Sequence, residues 1–255
     1  MIGMTPDSAV THDRILDGRL VVAQPVRGHR VGHDAILLAS AAPDDTRHLV
    51  DFGAGVGAAG LAALHRLPVA KGCLVEIDPV LADLARRNIE QNGFAGRCES
   101  VIGDIARLAR PDGPPGFSAA FDLVLSNPPF NCAMAHQASP HAARARAHMA
   151  GRGQLEDWIL AAYRCLEPAG RLVMILRPQD LQTLLEAFTG RFGAAELIPV
   201  HPAPHKDAVR LIVRARKGRR TAPMLRPGLI LASVEGVPTP QAEAVLRGGQ
   251  ALSFT

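Results

Sequence analysis

Short apolar runs alternate with amphipathic stretches from residue 48 to residue 213. The apolar runs predict buried strands at 48–52, 73–77, 98–102, 121–125, 171–176, 194–200 and 208–215. Apolar positions at helical spacing predict helices at 58–67, after the capping residue Asp78, across 155–166, and at 181–188. Strands that alternate with helices usually form a parallel sheet covered on both faces. The pattern therefore predicts an α/β fold with a seven-stranded, mostly parallel sheet and helices on both faces.

Two segments flank this alternating core. Before it, Asp17-Gly18 between apolar residues predicts a β-hairpin across 15–23, and residues 33–42 have a helical pattern. After it, residues 218–255 are rich in glycine and proline and contain one short apolar run at 229–232. We therefore divide the chain into an N-terminal hairpin and helix at 1–46, a core at 47–217 and a C-terminal extension at 218–255.

The composition is typical of a folded globular protein. Of the 255 residues, 47% are hydrophobic and 20% are charged, which excludes an intrinsically disordered chain. The N-terminus lacks a basic segment followed by an apolar one, so we expect no signal peptide, no membrane span and a cytoplasmic location. Neither the scattered cysteines nor the histidines of one loop have metal-ligand spacing, so we expect reduced thiols and no metal. These residues are Cys73, Cys98, Cys132, Cys165, His136, His141 and His148.

A glycine cluster follows the first predicted strand of the core. The sequence Asp51-Phe-Gly-Ala-Gly-Val-Gly57 lies at a strand-to-helix turn, with Gly60 three residues further on. Glycines there let the backbone approach a ligand closely, beside the free N–H groups of the next helix. Residues 55–60 also match the GxGxxG pattern of dinucleotide-binding proteins. Taken alone, the cluster is consistent with a tight turn or with a nicotinamide-dependent oxidoreductase.

Carboxylates at three successive strand ends point to a different ligand. Asp51 precedes the glycines, Glu76-Ile77 ends the second strand, and Asp104 follows the third. A carboxylate at Asp51 would repel a pyrophosphate but would neutralise a cationic group. Glu76 would accept hydrogen bonds from ribose hydroxyls, Ile77 would pack on an adenine, and Asp104 would accept from its amine. These features favour S-adenosylmethionine, which has an ammonium, a sulfonium and no phosphate.

The fourth strand ends in Ser126-Asn127-Pro128-Pro129-Phe130. Proline fixes φ and donates no N–H, so the Pro128 carbonyl is held in one direction. Together with the side-chain oxygen of Asn127 it offers two acceptors for the hydrogens of a planar –NH2 group, and Phe130 offers a ring for stacking. This arrangement predicts methylation of a conjugated amine, although Asn-Pro also occurs in structural turns.

These motifs carry a family resemblance. The sequences DFGAGVG, VEID and SNPPF, in this order, resemble those of class I methyltransferases that methylate amino groups. Residues 30–39 are similar to the upstream segment of the bacterial tRNA1(Val) adenine-N6 methyltransferases, which modify the adenine beside the anticodon. The resemblance covers residues 30–217 and implies a Rossmann-like fold, S-adenosylmethionine as cofactor and tRNA as substrate.

The resemblance and the strand-end pattern together give the candidate site residues. Residues 127–130, namely Asn127, Pro128, Pro129 and Phe130, are the catalytic candidates. The cofactor candidates are Asp51, Gly53, Gly55, Gly57, Glu76, Ile77, Asp104 and Asn127, together with Asp34, which the resemblance places near the methionine end.

A protein-glutamine N5-methyltransferase is the main alternative within this class, because such enzymes use the same motif on an amide. Those enzymes usually carry a helical N-terminal domain that holds the protein substrate. Only fifty residues precede Asp51 here, and their pattern predicts a hairpin and one helix. This difference favours a nucleic-acid substrate.

Basic residues concentrate in one late segment. Residues 201–228 contain eight arginines and lysines and one acidic residue, Asp207, within a chain of net charge +4. On the predicted strand there, Arg210, Arg214 and Arg216 share one face, and Lys217 follows. We expect these four residues to bind RNA phosphates at the C-terminal edge of the sheet. The alternative is an edge strand protected by charge against aggregation.

Overall fold

The computed structural model describes residues 10–27, 30–108, 110, 113–128 and 140–254, with backbone only for 140–152. The strands are β1 (Val10–Ile15), β2 (Leu20–Pro25), β3 (His48–Phe52), β4 (Lys71–Glu76), β5 (Cys98–Ile102), β6 (Phe121–Ser126), β7 (Leu166–Leu176), β8 (Phe192–His201), β9 (Arg210–Lys217), β10 (Met224–Leu225) and β11 (Leu229–Ile230). The helices are α1 (His33–Ser40), α2 (Ala58–Arg66), α3 (Pro79–Gln91), α4 (Ile105–Leu108), α5 (Pro140–Cys165), α6 (Leu181–Phe188) and α7 (Pro240–Leu246).

The central sheet confirms the α/β prediction and extends it. Its order is β10-β8-β9-β7-β6-β3-β4-β5, and β11 also pairs with β8. Strands β7, β6, β3, β4 and β5 are mutually parallel, whereas β9 is antiparallel to both of its neighbours, β7 and β8. The sheet has nine strands and not the predicted seven, because the C-terminal segment contributes two additional strands of two residues each. These strands, β10 and β11, both pair with β8. Such short strands leave almost no periodic signal in a sequence.

Two apolar layers cover the sheet. On one face α1, α2 and α3 bury residues such as Leu38, Leu61 and Ile89. On the other face α4, α5 and α6 bury Trp158 and Leu184, among others. Helix α3 begins as its sequence predicts, because the side chain of Asp78 accepts a hydrogen bond from the backbone N–H of Val80 at 2.8 Å.

Polar contacts attach the N-terminal hairpin, β1 and β2, to helix α3. The buried side chain of Asn88 accepts from Ala23 N at 2.8 Å and donates to the carbonyls of Ala23 and Val56, both at 2.9 Å. Asn92 exchanges two further bonds with the backbone of Val21. Because Val56 belongs to the glycine loop, Asn88 joins the hairpin to that loop.

The C-terminal segment lies against α1 and the adjoining face of the sheet. Leu252 N donates to Ser40 O at 2.8 Å, and helix α7 packs on α1. The ring of Phe254 is buried under the guanidinium of Arg214, whose Cζ lies 3.7 Å from the ring centroid. Among the helices of the described residues, none is both long enough and apolar enough to span a bilayer.

Candidate active site

A cavity of about 560 Å³ opens at the carboxyl ends of the parallel strands. This edge is where open α/β sheets bind ligands, and the volume suits a small molecule or cofactor. Residues that follow β3, β4, β5, β6 and β7 in turn contribute to the wall. The lining residues are Asp34, Gly53, Gly55, Glu76, Ile77, Leu81, Gly103, Asp104, Ile105, Asn127, Pro128, Gln154, Trp158, Arg177 and Arg210.

The glycine loop presents bare backbone to this cavity. Gly53 has a φ of 66°, and a Cβ added there would lie 2.6 Å from Cη2 of Trp158. Gly55 has a φ of 57°, but a Cβ there would meet no atom within 4 Å. At position 53 a side chain would be strained by the positive φ and would also clash with Trp158. At position 55 it would be strained by the positive φ but would have open space around it.

Asp51 lies beneath the loop and is not part of the cavity wall. Its side chain is 2% exposed, and its Oδ2 accepts a hydrogen bond from Gly60 N at 2.8 Å. Strand alternation turns Asp51 toward α2, the same face as Leu49. The structure therefore places Asp51 outside the cavity wall, where we predicted it to meet a cationic group of the ligand. Burial raises the pKa of the Asp51 carboxyl to about 7, the Gly60 N–H opposes this shift, and the nearby Glu76 adds to it.

Glu76 is held in place by three backbone donors. Its Oε2 accepts from Gly55 N at 2.8 Å, and its Oε1 accepts from Ile77 N at 2.8 Å and from Asp78 N at 2.9 Å. The carboxylate thus ties the glycine loop to the end of β4 while it lines the cavity. Next to it, the side chain of Ile77 is exposed and offers an apolar surface to a ligand.

Asp104 and the Asn-Pro motif lie on either side of these groups. Oδ1 of Asp104 accepts from Ala106 N at 2.9 Å, which orients the carboxylate at the end of β5. Asn127 and Pro128 line the cavity just after β6. Since Phe52 pairs with Ser126, the register sets Asn127 beside the glycine loop. Pro129 and Phe130 lie outside the described residues.

The sequence prediction of this cavity lacks seven residues of its wall, of which Leu81, Gly103 and Ile105 are close in sequence to predicted ones and four come from other parts of the chain. Trp158 and Gln154 come from α5, Arg177 follows β7, and Arg210 begins β9. Trp158 is the one tryptophan of the chain, but its helical spacing indicates only a core position. Arg210 Nε donates to Asp34 Oδ2 at 2.8 Å. Asp34, which we predicted near the cofactor, and Arg210, which we predicted to bind RNA, therefore form an ion pair in the cavity.

The predicted basic surface on β9 is dispersed. Strand β9 is antiparallel to β7, so Arg210 lies at the cavity edge while Arg216 pairs with Arg171, in the middle of β7 and away from that edge. Arg214 bonds to Glu196 at 2.8 Å, and Lys217 Nζ donates to Leu166 O at 2.5 Å. These four residues therefore form no continuous track along the site. The edge-strand alternative is wrong, because β9 pairs on both sides, whereas RNA binding by these residues stays a prediction.

Within the ranges that the structure describes, no group of three histidine, cysteine or acidic side chains could hold a metal ion. The cysteines Cys73, Cys98 and Cys165 are buried, and burial raises the pKa of each thiol to about 12. Cys132 and His136 lie outside the described residues, as do the side chains of His141 and His148.

The donor set of the cavity fits S-adenosylmethionine. Its ribose and adenine match four features of the cavity wall. These are the bare backbone of the glycine loop, the carboxylate at the end of β4, the exposed apolar side chain beside it and the carboxylate at the end of β5. With the Asn-Pro motif after β6, this fold and site define a class I S-adenosylmethionine-dependent methyltransferase.

Comparisons with known proteins specify the family. The family model described as the methyltransferase small domain matches residues 31–198, and the chain belongs to that family. A tRNA1(Val) (adenine(37)-N6)-methyltransferase of Porphyromonas gingivalis is 35% identical over 72% of this chain and 72% of its own length. The protein of that name from a Shewanella species is 31% identical over 72% of this chain and 76% of its own length.

Solved structures agree with this assignment. A protein of Agrobacterium tumefaciens, described as a predicted O-methyltransferase, has a TM-score of 0.72 and 32% identity over 86% of this chain and 98% of its own. The 16S rRNA N2 G1207 methyltransferase of Thermus thermophilus, solved with AdoMet and guanosine, has a TM-score of 0.56 and 21% identity over 83% of this chain and 51% of its own. The second likeness concerns the fold alone.

Proposed function

We propose that this protein methylates the exocyclic N6 of an adenine in tRNA, next to the anticodon, with S-adenosylmethionine as methyl donor. The observation that carries the proposal is the position of Asn127 and Pro128, which line the same cavity as the glycine loop and Glu76. The names of the relatives support adenine in tRNA as the acceptor. A tRNA substrate also fits a cytoplasmic location.

The chain's own residues supply binding and orientation. S-adenosylmethionine supplies a methyl group that its sulfonium has already activated. Glu76, Ile77 and Asp104 would hold its ribose and adenine, since they line the cavity on the side of β4 and β5. The bonds from Gly55, Ile77 and Asp78 fix the Glu76 carboxylate before any ligand arrives, so little reorganisation is needed.

Asn127 and Pro128 would act on the acceptor amine. The lone pair of an adenine –NH2 is delocalised into the ring and is weakly nucleophilic. Hydrogen bonds from both N–H groups to the Asn127 side chain and the Pro128 carbonyl favour a pyramidal nitrogen whose lone pair points at the methyl group. No general base is needed before transfer, because the cationic product readily loses a proton to water. Positioning and electrostatic stabilisation then supply most of the rate.

The names of the relatives favour tRNA over a protein-glutamine substrate, and the described residues ahead of β3 pack on the core. The described residues ahead of β3 form a two-stranded hairpin and one eight-residue helix. The hairpin is bonded to α3, and α1 is packed against α2, so both support the core. A separate helical domain that could hold a protein partner is not formed by these described residues.

The test is methyl transfer from labelled S-adenosylmethionine into total tRNA and, separately, into total protein. We expect label in tRNA, recovered as N6-methyladenosine after nucleoside digestion. Label recovered in protein as methylglutamine, with none in tRNA, would refute the proposal. A transcript in which guanosine replaces the adenosine next to the anticodon provides the matched control, and it should accept no methyl group.

Asn127→Ala tests the chemistry. Its side-chain oxygen would matter chiefly as the nitrogen becomes pyramidal, so kcat should fall about 100-fold or more. The Kd for S-adenosylmethionine, measured by calorimetry, should change less than about twofold, because the cofactor bonds on β4 and β5 remain. Full turnover by this variant would exclude the proposed role.

A further inference from the structure

Two arginines lie at the cavity edge. Leu176 of β7 and Leu211 of β9 are the last pair of their antiparallel ladder, and Arg177 and Arg210 are the next residues beyond that pair. Both side chains line the cavity that also contains Asn127. Because these two positions adjoin the last pair of the ladder, both arginines lie at the same end of the cavity.

Each guanidinium is bonded to an acidic side chain and remains partly open to solvent. Arg210 donates to Asp34 at 2.8 Å, and Arg177 donates to Asp180 at 3.1 Å. The arginine side chains are 36% and 42% exposed. The bonds of Arg210 to Asp34 and to Val209 O use two of its five N–H donors. Two like charges at one end of a cavity repel each other, and an anion bound between them offsets this repulsion.

The two arginines of the cavity wall lie on the other side of Asn127 from Glu76 and Asp104, and Asp34 lies beside Arg210. Glu76 and Asp104 lie at the ends of β4 and β5, while the arginines lie at the ends of β7 and β9. Asn127, after β6, stands between the two pairs. Strands β7 and β9 are one and two strand spacings from β6, about 5 and 10 Å, which a phosphate can reach when its base lies over Asn127.

We propose that Arg177 and Arg210 form a clamp for a backbone phosphate that adjoins the methylated adenosine. The proposal rests on the proposed function and specifies which group of the RNA is recognised at the same site. Paired guanidiniums suit a phosphodiester, whose two free oxygens accept parallel N–H bonds. The methionine carboxylate of the cofactor has the same anionic chemistry, so the tests separate these two sources.

The first test compares three clamp variants with Arg216→Ala and Arg87→Ala. The clamp variants are Arg177→Ala, Arg210→Ala and the double variant Arg177→Ala/Arg210→Ala. Arg216→Ala tests whether a diffuse basic surface binds the RNA. Arg87→Ala is the matched control, because Arg87 is an exposed arginine that also has an aspartate partner, Asp83, and it does not line the cavity. Each clamp variant should lower kcat/KM for tRNA about 10- to 100-fold and reduce the salt slope of RNA binding by about one. The Kd for S-adenosylmethionine should stay within about twofold, and Arg87→Ala should resemble the wild type.

The second test removes the charge from the RNA. An anticodon stem–loop with one neutral methylphosphonate, placed in turn on each phosphate beside the target adenosine, is methylated by the wild type and by the double variant. One placement should lower wild-type kcat/KM about 10-fold or more and have no further effect on the double variant. Arg210→Lys, which keeps the charge beside Asp34, should recover part of the RNA affinity and guards against a folding defect.

Three outcomes would overturn the clamp. Loss of S-adenosylmethionine affinity with unchanged KM for tRNA would assign the arginines to the cofactor carboxylate. Equal effects of Arg216→Ala and Arg210→Ala would indicate a diffuse basic surface. A methylphosphonate effect that persists in the double variant would place the phosphate elsewhere. Absence of tRNA methylation by the wild type would instead refute the proposed function, which is a separate result.

Discussion

Replacing Gly53 with alanine should destabilise the folded protein through two separate effects. The residue has a φ of 66°, which an L-residue adopts only with strain. The added methyl carbon would also lie 2.6 Å from Cη2 and 3.3 Å from Cζ3 of Trp158. Trp158 belongs to α5, is 9% exposed and is packed in the core, so its ring has little room to move away.

The two effects have separable magnitudes. The left-handed conformation costs about 1–2 kcal/mol for alanine. Overpacking in a close-packed interior costs about 1–3 kcal/mol more. Gly53→Ala should therefore lower the free energy of unfolding by about 2–5 kcal/mol. Gly55→Ala is the matched control, because Gly55 has a φ of 57° and nothing within 4 Å of an added Cβ. It should cost only the conformational part, about 1–2 kcal/mol.

Urea unfolding followed by circular dichroism measures both variants. A double-mutant cycle with Trp158→Leu isolates the steric part, since a smaller side chain frees the space that the methyl group needs. We expect a favourable coupling of about 1–3 kcal/mol between Gly53→Ala and Trp158→Leu, and none between Gly55→Ala and Trp158→Leu. Equal stabilities of the two alanine variants, or zero coupling in the first cycle, would refute the assigned contact.

Two other predictions concern buried charge. Because the folded-state pKa of Asp51 is raised to about 7 from 3.8, the native state binds the extra proton and stability falls as the pH rises through this window. Asp51→Asn keeps an acceptor for Gly60 N but cannot titrate, so it should reduce the loss of stability with rising pH, which is at most about 1.4 kcal/mol per pH unit. Urea unfolding at several pH values measures this loss, and the same pH profile in the variant and the wild type would contradict the prediction. Arg214→Ala should lower the free energy of unfolding by about 1–3 kcal/mol, because Glu196 and Phe254 lose a partner. It should leave the salt dependence of RNA binding unchanged, and a reduced salt slope would restore the predicted surface on β9.

Strand ends and motif residues could be predicted because their signals are local. The predicted bounds of β3 and β5 match those in the structure, since each is a short apolar run between polar turns. Glu76, Asp104 and Asn127 follow such runs, and parallel strands bring their carboxyl ends to one edge. The cavity contacts of these residues are therefore consequences of sequence order alone.

Tertiary contacts explain what the sequence pattern missed. The side chain of Asp51 belongs to the glycine motif, yet strand alternation directs it to Gly60 and away from the cavity. Trp158 is one of several apolar positions on α5, and only the approach of this helix to Gly53 turns it into a wall of the site. The second relation joins residues of two distant parts of the chain, which no local pattern can indicate.

The direction of one strand decides which basic residue can act. Were β9 parallel to β7, its last residues, Arg216 and Lys217, would stand at the cavity edge and Arg210 would lie at the far side. Strand β9 instead returns from β8 through residues 202–209 and runs antiparallel, so its first residue reaches the edge. Arg210 then meets Asp34 from α1 and lies at the same end of the cavity as Arg177, which follows β7. A cluster of basic residues in sequence thus becomes a single arginine at the site, and its partner there comes from a different strand.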